Sequence, residues 1–262
     1  MGFWKRLFGR DDSWQEAGDM LVGEGDPPEM KAAYQGAQES FRYFWRELFW
    51  ERHRIVPGCD FVAIKAPFSD APERRSGRVE HMWLVEPSFD GREIVATLNS
   101  DPNWVRSVRI GDEVRLGISE IDDWLYVQGG RVYGGFTVHV LRAGMSPRER
   151  AGHDGAWGFE FGEPHPVLVP PGAGLDRDHP MATNMASRFE EGLTKDPSLA
   201  RSVDDQGWTM LHHHALGGSS EIVRLLLRHG ADRDARTPHG MTAADLAASL
   251  GWTSVQQVLS AS

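Results

Sequence analysis

The chain has 262 residues, 40% hydrophobic and 25% charged, the composition of a folded globular protein long enough for two modest domains. Its formal net charge of −10 argues against a chain whose main task is gripping nucleic-acid backbone, which needs a basic footprint. Cys59 is the only cysteine, so neither an internal disulfide nor a thiolate zinc cluster is available.

The opening MGFWKRLFGRDD has positive charge but no apolar run of signal-peptide length, and no stretch approaches the ~20 apolar residues of a membrane span. The expected setting is therefore the bacterial-type cytoplasm, without stable membrane insertion. Phe3, Trp4, Leu7 and Phe8 fall at helical spacing among Lys5, Arg6 and Arg10. This reads as a short terminal helix that folds back or frays, with docking to an anionic membrane surface as the alternative. Residues 11–29 then hold seven acids and no base, a solvated linker. We take residues 1–27 as start and linker.

DPPE predicts a helix opening at Asp26, with an aspartate cap, a proline in the first turn and Glu29 three residues on. Its stripe of Met30, Tyr34, Ala37, Phe41, Trp45 and Leu48 is widened by Tyr43, Phe44, Phe49 and Trp50, which implies burial on more than one side. It should end before Pro57-Gly58. From Asp60 the period becomes two: FVAIKAPF, EHMWLVE, REIVATLN, DEVRLGISEI, DWLYV and RVYGGFTVHVL each read as strands. Asp90-Gly91 and Gly129-Gly130 are tight-hairpin signals between them. The expected fold of residues 28–172 is α+β, the long helix packed on a mainly antiparallel sheet or small open barrel, with a short helix at SPRERAGHD. Residues 173–182 read as a linker.

The last part, 183–262, carries a repeat. Gly207-Trp208-Thr209 recurs as Gly240-Met241-Thr242 at a period of 33, and at the same offset Ala215 meets Ala248, Gly218 meets Gly251, Ile222 meets Val255 and Leu226 meets Leu259. That period, with G-x-T opening a helix pair, resembles the ankyrin repeat, and implies an all-α stack of about two repeats. MASRFEEGLTKDPSLA supplies a preceding helix, with Phe189 and Leu193 facing inward. The family's T-P-L-H-x-A turn stands here as Thr209-Met210-Leu211-His212-His213-His214. The resemblance makes His212 the histidine that bonds the Thr209 turn, His213 a variable, solvent-facing position, and His214 a substitute for a small residue at a helix contact. Three consecutive histidines cannot converge on one ion without irregular backbone, so no metal site is expected.

In the first domain FRYFWREL, EHMWL, LNSDPNWV, GDEV, IDDWLYV, YGGFTV and HDGAWGFEFGEP, in this order, resemble the uncharacterised bacterial family catalogued as domain of unknown function 2314. That resemblance brings no activity with it, so the residues must speak. Glu80, His81, Asp122, Asp123, His153, Asp154, Glu160 and Glu163 interleave with Trp83, Trp124 and Trp157, as in many ligand clefts. If they converge, they suit acid–base work or a divalent metal. If instead they alternate polar-out along strands and fix turns, no site exists. No G-x-S-x-G elbow, phosphate loop or G-x-G-x-x-G is present, and no cofactor is implied.

The favoured expectation is a non-enzymatic interaction protein whose ankyrin stack binds a protein partner through Trp208, Met210, His213, His214 and Met241. The alternative is an enzyme or a small-ligand or metal binder using Glu80, His81, Asp122, Asp123, His153 and Glu160. Family-level analogy adds a toxin-neutralising role as a third reading.

Overall fold

A computed structural model describes residues 26–261; the amphipathic start, the acidic residues up to Gly25 and Ser262 lie outside the described residues. Helix α1 spans Pro28–Glu51, opening with a proline whose missing N–H costs nothing in the first turn. It is shared between two compact units. Through Phe44 it groups with residues 56–169, and Trp45–Ile55 group with residues 170–262.

The first unit is an open six-stranded sheet, ordered β4-β3-β2-β1-β5-β6 with every neighbouring pair antiparallel. The strands are β1 (Phe61–Phe68), β2 (Glu80–Phe89), β3 (Ile94–Leu98), β4 (Glu113–Leu116), β5 (Asp123–Gln128) and β6 (Arg131–Gly134). The expected alternation is visible in β3, where Ile94, Ala96 and Leu98 are buried and Val95 and Thr97 half-buried. Helix α1 covers one face: Phe44 stacks on Trp124 at 5.1 Å, and the Trp124 indole donates to the Ala37 carbonyl at 2.9 Å. On the other face Phe61, Ala63, Leu125, Val127 and Val132 form a core with Val138 and Phe161.

Gly129 and Gly130 make the two-residue hairpin with φ of 58° and 78°, the left-handed pair such a turn needs. At Asp90-Gly91 the loop is longer. The Asp90 carboxylate accepts from the Arg92 and Glu93 amides, both at 2.8 Å.

Two of the expected strands are shorter than their alternation suggests. RVYGGFTVHVL is strand only to Gly134; Phe136–Ala143 form helix α2. Gly134 and Gly135 both take positive φ, 78° and 72°, which turns the chain out of the sheet. The buried Asp123 carboxylate then accepts from the Phe136 amide (2.9 Å), the Thr137 amide (2.8 Å) and the Thr137 hydroxyl (2.6 Å). An aspartate 13 residues upstream thus caps a helix that its own β-branched residues disfavour. DEVRLGISEI likewise leaves the sheet after Leu116, because the Glu120 carboxylate takes the Gly117 amide at 2.6 Å and closes a 3₁₀ turn over Ile118–Glu120. The short helix at SPRERAGHD is present as α3, Pro147–Trp157, with a Ser146/Glu149 capping box.

In the second unit α4 (Pro180–Lys195) and a 3₁₀ turn (Pro197–Arg201) precede two helix pairs, α5 (Met210–Leu216) with α6 (Ser220–Arg228) and α7 (Ala243–Ser249) with α8 (Thr253–Ser260). The 33-residue period is a structural repeat. Thr209 and Thr242 cap α5 and α7 with closed capping boxes, and Gly207 and Gly240 before them share φ of 78°. Gly218 keeps the stack tight, since a Cβ there would lie 2.6 Å from the Trp252 ring.

The segment read as a linker is built into this unit. The Asp178 carboxylate accepts from the amides of Ser220 (2.9 Å) and Glu221 (2.7 Å) and from the Ser220 hydroxyl (2.8 Å). The Asp176 carboxylate accepts from the Ser254 amide (2.8 Å) and hydroxyl (3.1 Å). Two aspartates, two residues apart, therefore serve the first turns of α6 and α8, neither of which has a side-chain cap from its own preceding residue. Between them the Arg177 carbonyl accepts from the buried Arg46 guanidinium at 2.7 Å.

Candidate functional site

The six polar residues expected to line a cleft in the first unit divide by what holds them. His81 and Asp122 come together: Nδ1 lies 2.7 Å from the Asp122 carboxylate, which is fully buried and also meets Arg75 at 2.6 Å. The His81 ring stacks on Tyr34 at 6.1 Å, and the Arg75 guanidinium lies over the same tyrosine at 5.0 Å. Burial, together with the Asp122 and Asp26 carboxylates, holds the Tyr34 hydroxyl above its ordinary range, so it stays protonated.

Register places Lys65 directly opposite both Trp83 and Asp123, and its ammonium sits 5.7 Å from the Trp83 ring. Burial lowers its pKa while Asp122 and Asp123 pull it back up. Asp123 has no free edge. Three of its hydrogen bonds cap α2 and a fourth comes from the Trp124 amide; burial pushes its carboxyl up to about 6 against the pull of Thr137.

Glu80 is a loop staple. Its buried carboxylate accepts from the Asn103 amide and side chain at 2.8 and 3.0 Å, and from the Trp104 and Val105 amides at 3.4 and 3.5 Å. His153 pairs instead with its neighbour Asp154 at 2.8 Å. Asp154 is held by both Nε and Nη2 of the buried Arg142, at 2.9 and 2.7 Å, and Arg142 also reaches His139 Nδ1 and the Gly162 carbonyl. Burial and the adjacent Arg142 lower His139 to about 4, so this network contains a neutral imidazole at neutral pH. Glu160 is exposed and contributes through its backbone, which accepts from the Val132 amide. Among the described residues no group of three or more His, Cys, Asp or Glu is arranged to hold a metal ion.

What the first unit offers is therefore narrower than the pattern suggested. A buried aspartate fixes the tautomer of His81, which leaves Nε2 as the group able to exchange a proton. The sequence marked both residues. It did not mark Arg75, Tyr34 or Lys65, which reach the cluster from a loop, from α1 and from β1.

In the second unit the three histidines occupy three environments. His212 Nδ1 accepts from the Thr209 amide at 3.1 Å, and its Nε2 donates to the Ala235 carbonyl at 2.9 Å, closing the turn of one repeat onto the next. Burial lowers its pKa, as a neutral ring serving one donor and one acceptor requires. His213 is half-exposed, 2.7 Å from Asp204, and stacks on Trp208. His214 is 2% exposed and sits among Phe189, Phe49 and Trp50, with ring centroids at 5.1, 5.2 and 5.8 Å. Of the five residues expected to face a partner, His214 and Trp208 are thus buried, because each fills an aromatic contact inside the unit. Met210, His213 and Met241 remain half-exposed at the turns and first-helix starts, and Val203, which bridges to Thr209, is exposed.

These features define an α+β domain on an open antiparallel sheet, carried in one chain with an ankyrin array. The chain belongs to the family described as an uncharacterized protein conserved in bacteria (DUF2314), whose profile matches residues 27–161, and a three-copy ankyrin profile matches residues 186–261. A Neisseria meningitidis serogroup B protein named for ankyrin repeats is 37% identical over 246 residues, covering 91% of this chain and 95% of that one. The Escherichia coli K12 uncharacterized protein YegJ is 34% identical over 146 residues, 55% of this chain and 88% of its own length. No helix among the described residues is long and apolar enough to cross a membrane.

Proposed function

We infer that this is a non-enzymatic interaction protein of the bacterial cytoplasm, whose ankyrin unit binds a protein partner through its turn tips and first helices. One observation carries the reading. The groups that hold the repeat together, Thr209, His212 and Thr242, are satisfied internally, and His213 is held by Asp204, while the side chains of Met210, Met241 and Val203 keep accessible apolar surface. Half-exposed methionines and an exposed valine suit an apolar anchor on a partner. Neutralising a toxin is one form such binding takes, suggested by analogy alone. The test is capture from the native cytoplasm with the intact chain and with M210S/H213S/M241S. The same partner should be recovered by the intact chain and lost by the variant; equal recovery would exclude this face.

A second reading rests on the His81–Asp122 pair, in which a fully buried carboxylate orients a half-buried imidazole. It makes the first unit a small-ligand or acid–base site. NMR titration of the His81 ring against candidate ligands, with D122N as comparison, separates the readings. A ligand-dependent shift in the intact chain that is absent in D122N supports the site; an unresponsive ring removes it.

A further inference from the structure

The ankyrin unit has a second surface, away from the turn tips. An open groove runs between the second helices α6 and α8, with Leu227 and Val258 among its apolar walls and Arg224, Arg228 and Arg233 on its rim. No aspartate or glutamate lines it, although the chain carries 38 acids against 28 bases. Helix α8, TSVQQVLS, brings no charge of either sign, so the arginines of α6 and the following loop face no carboxylate across the groove.

The three arginines are unequally committed. Arg228 pairs with Glu190 of α4 at 3.4 Å, a half-exposed contact worth little. Arg233 donates to the Ala261 carbonyl at 2.8 Å, which fixes its direction, and makes no ion pair among the described residues although Asp232 and Asp234 flank it in sequence. Arg224 is exposed and makes no ion pair among the described residues. The Asp178 and Asp176 carboxylates border the groove at Ser220 and Ser254, but each is taken up by the amide and hydroxyl of that serine at the first turns of α6 and α8.

We propose that this groove receives an acidic, partly apolar peptide segment of a protein partner, its carboxylates on Arg224 and Arg233 and its apolar side chains on Leu227 and Val258. Guanidinium groups favour such a ligand because their planar donors match a carboxylate, and apolar walls between them reject a fully hydrated polyanion. The surface is distinct from the turn-tip face, so the two readings stand or fall separately.

The test measures fluorescence anisotropy of a labelled peptide of alternating glutamate and leucine against the full chain, with a glutamine–leucine peptide of equal length as reference. The intact chain should bind the acidic peptide at least tenfold more tightly than the reference. Arg224→Glu with Arg233→Glu should abolish that preference and favour a lysine–leucine peptide instead, and the milder Arg224→Gln with Arg233→Gln should reduce it. Circular dichroism establishes that each variant is folded. M210S/M241S should bind the acidic peptide as the intact chain does. Equal affinity for both peptides, unchanged affinity after charge reversal, or full displacement by millimolar inorganic phosphate would each overturn the proposal.

Discussion

At the scale of single residues the most telling position is His214. Burial lowers its pKa to about 3, whereas an unfolded histidine titrates near ~6.5. A depressed imidazole contributes stability that is fully present above the unfolded value and is lost as pH falls from about 6.5 toward 3. The loss approaches ~1.4 kcal/mol per pH unit for one histidine. Urea denaturation of the intact chain should therefore show lower stability at pH 5 than at pH 7, and H214L should lose about one proton's share of that difference. An unchanged pH dependence in H214L would contradict the assignment. Gly134 is a harder constraint: a Cβ there would lie 2.2 Å from the Trp124 carbonyl, at a φ of 78°. G134A should cost ~3 kcal/mol or more in the same measurement. The resemblance to the ankyrin turn pattern implied the role of His212, whose ring bonds the Thr209 amide. The burial of His214 was not legible, because Phe49 and Trp50 lie more than 160 residues earlier in the chain.

At the scale of elements, local pattern and tertiary hydrogen bonding compete. β1 runs over the eight residues FVAIKAPF that the sequence picks out as a strand, although six of the eight are buried, so the strand is covered on both faces and its burial does not alternate. The residues FTVHVL carry the same signal and form α2 instead, because Asp123 and the Gly134-Gly135 bend outweigh a propensity of tenths of a kcal/mol per residue. The Gly-Gly pair was the available sign. D123A should leave three amides and a hydroxyl without their acceptor and destabilise the chain by about 2–4 kcal/mol in thermal or urea melts, more than an ordinary cap. Asp176 and Asp178 make a parallel case in the second unit. D176A and D178A should each cost roughly 1 kcal/mol, with faster amide exchange confined to the first turns of α8 and α6 respectively.

At the scale of the whole molecule, two helix pairs are few for an independent repeat array, because each repeat buries its face only against a neighbour. Here Phe49 and Trp50 meet His214, Trp50 also stacks on His179 at 5.8 Å, and the Asp176–Asp178 strap ties the starts of α6 and α8. A fragment of residues 183–262 lacks all of these. It should show weak helical circular dichroism and no cooperative melt, and adding residues 170–182 should recover only part of the signal; a cooperative melt of the shorter fragment would refute the dependence.

Composition, periodicity and spacing were sufficient by themselves for the α+β sheet domain and the 33-residue repeat, since amphipathic period and turn chemistry are local properties; the separate roles of His212 and His213 came from what the ankyrin resemblance implies. Tertiary structure decided the rest: which carboxylates are consumed as caps and staples, that His81 alone of the six candidates pairs with Asp122, and that His214 is core. Those outcomes depend on contacts between residues tens to hundreds apart in sequence, whose burial and hydrogen-bond partners no local pattern encodes.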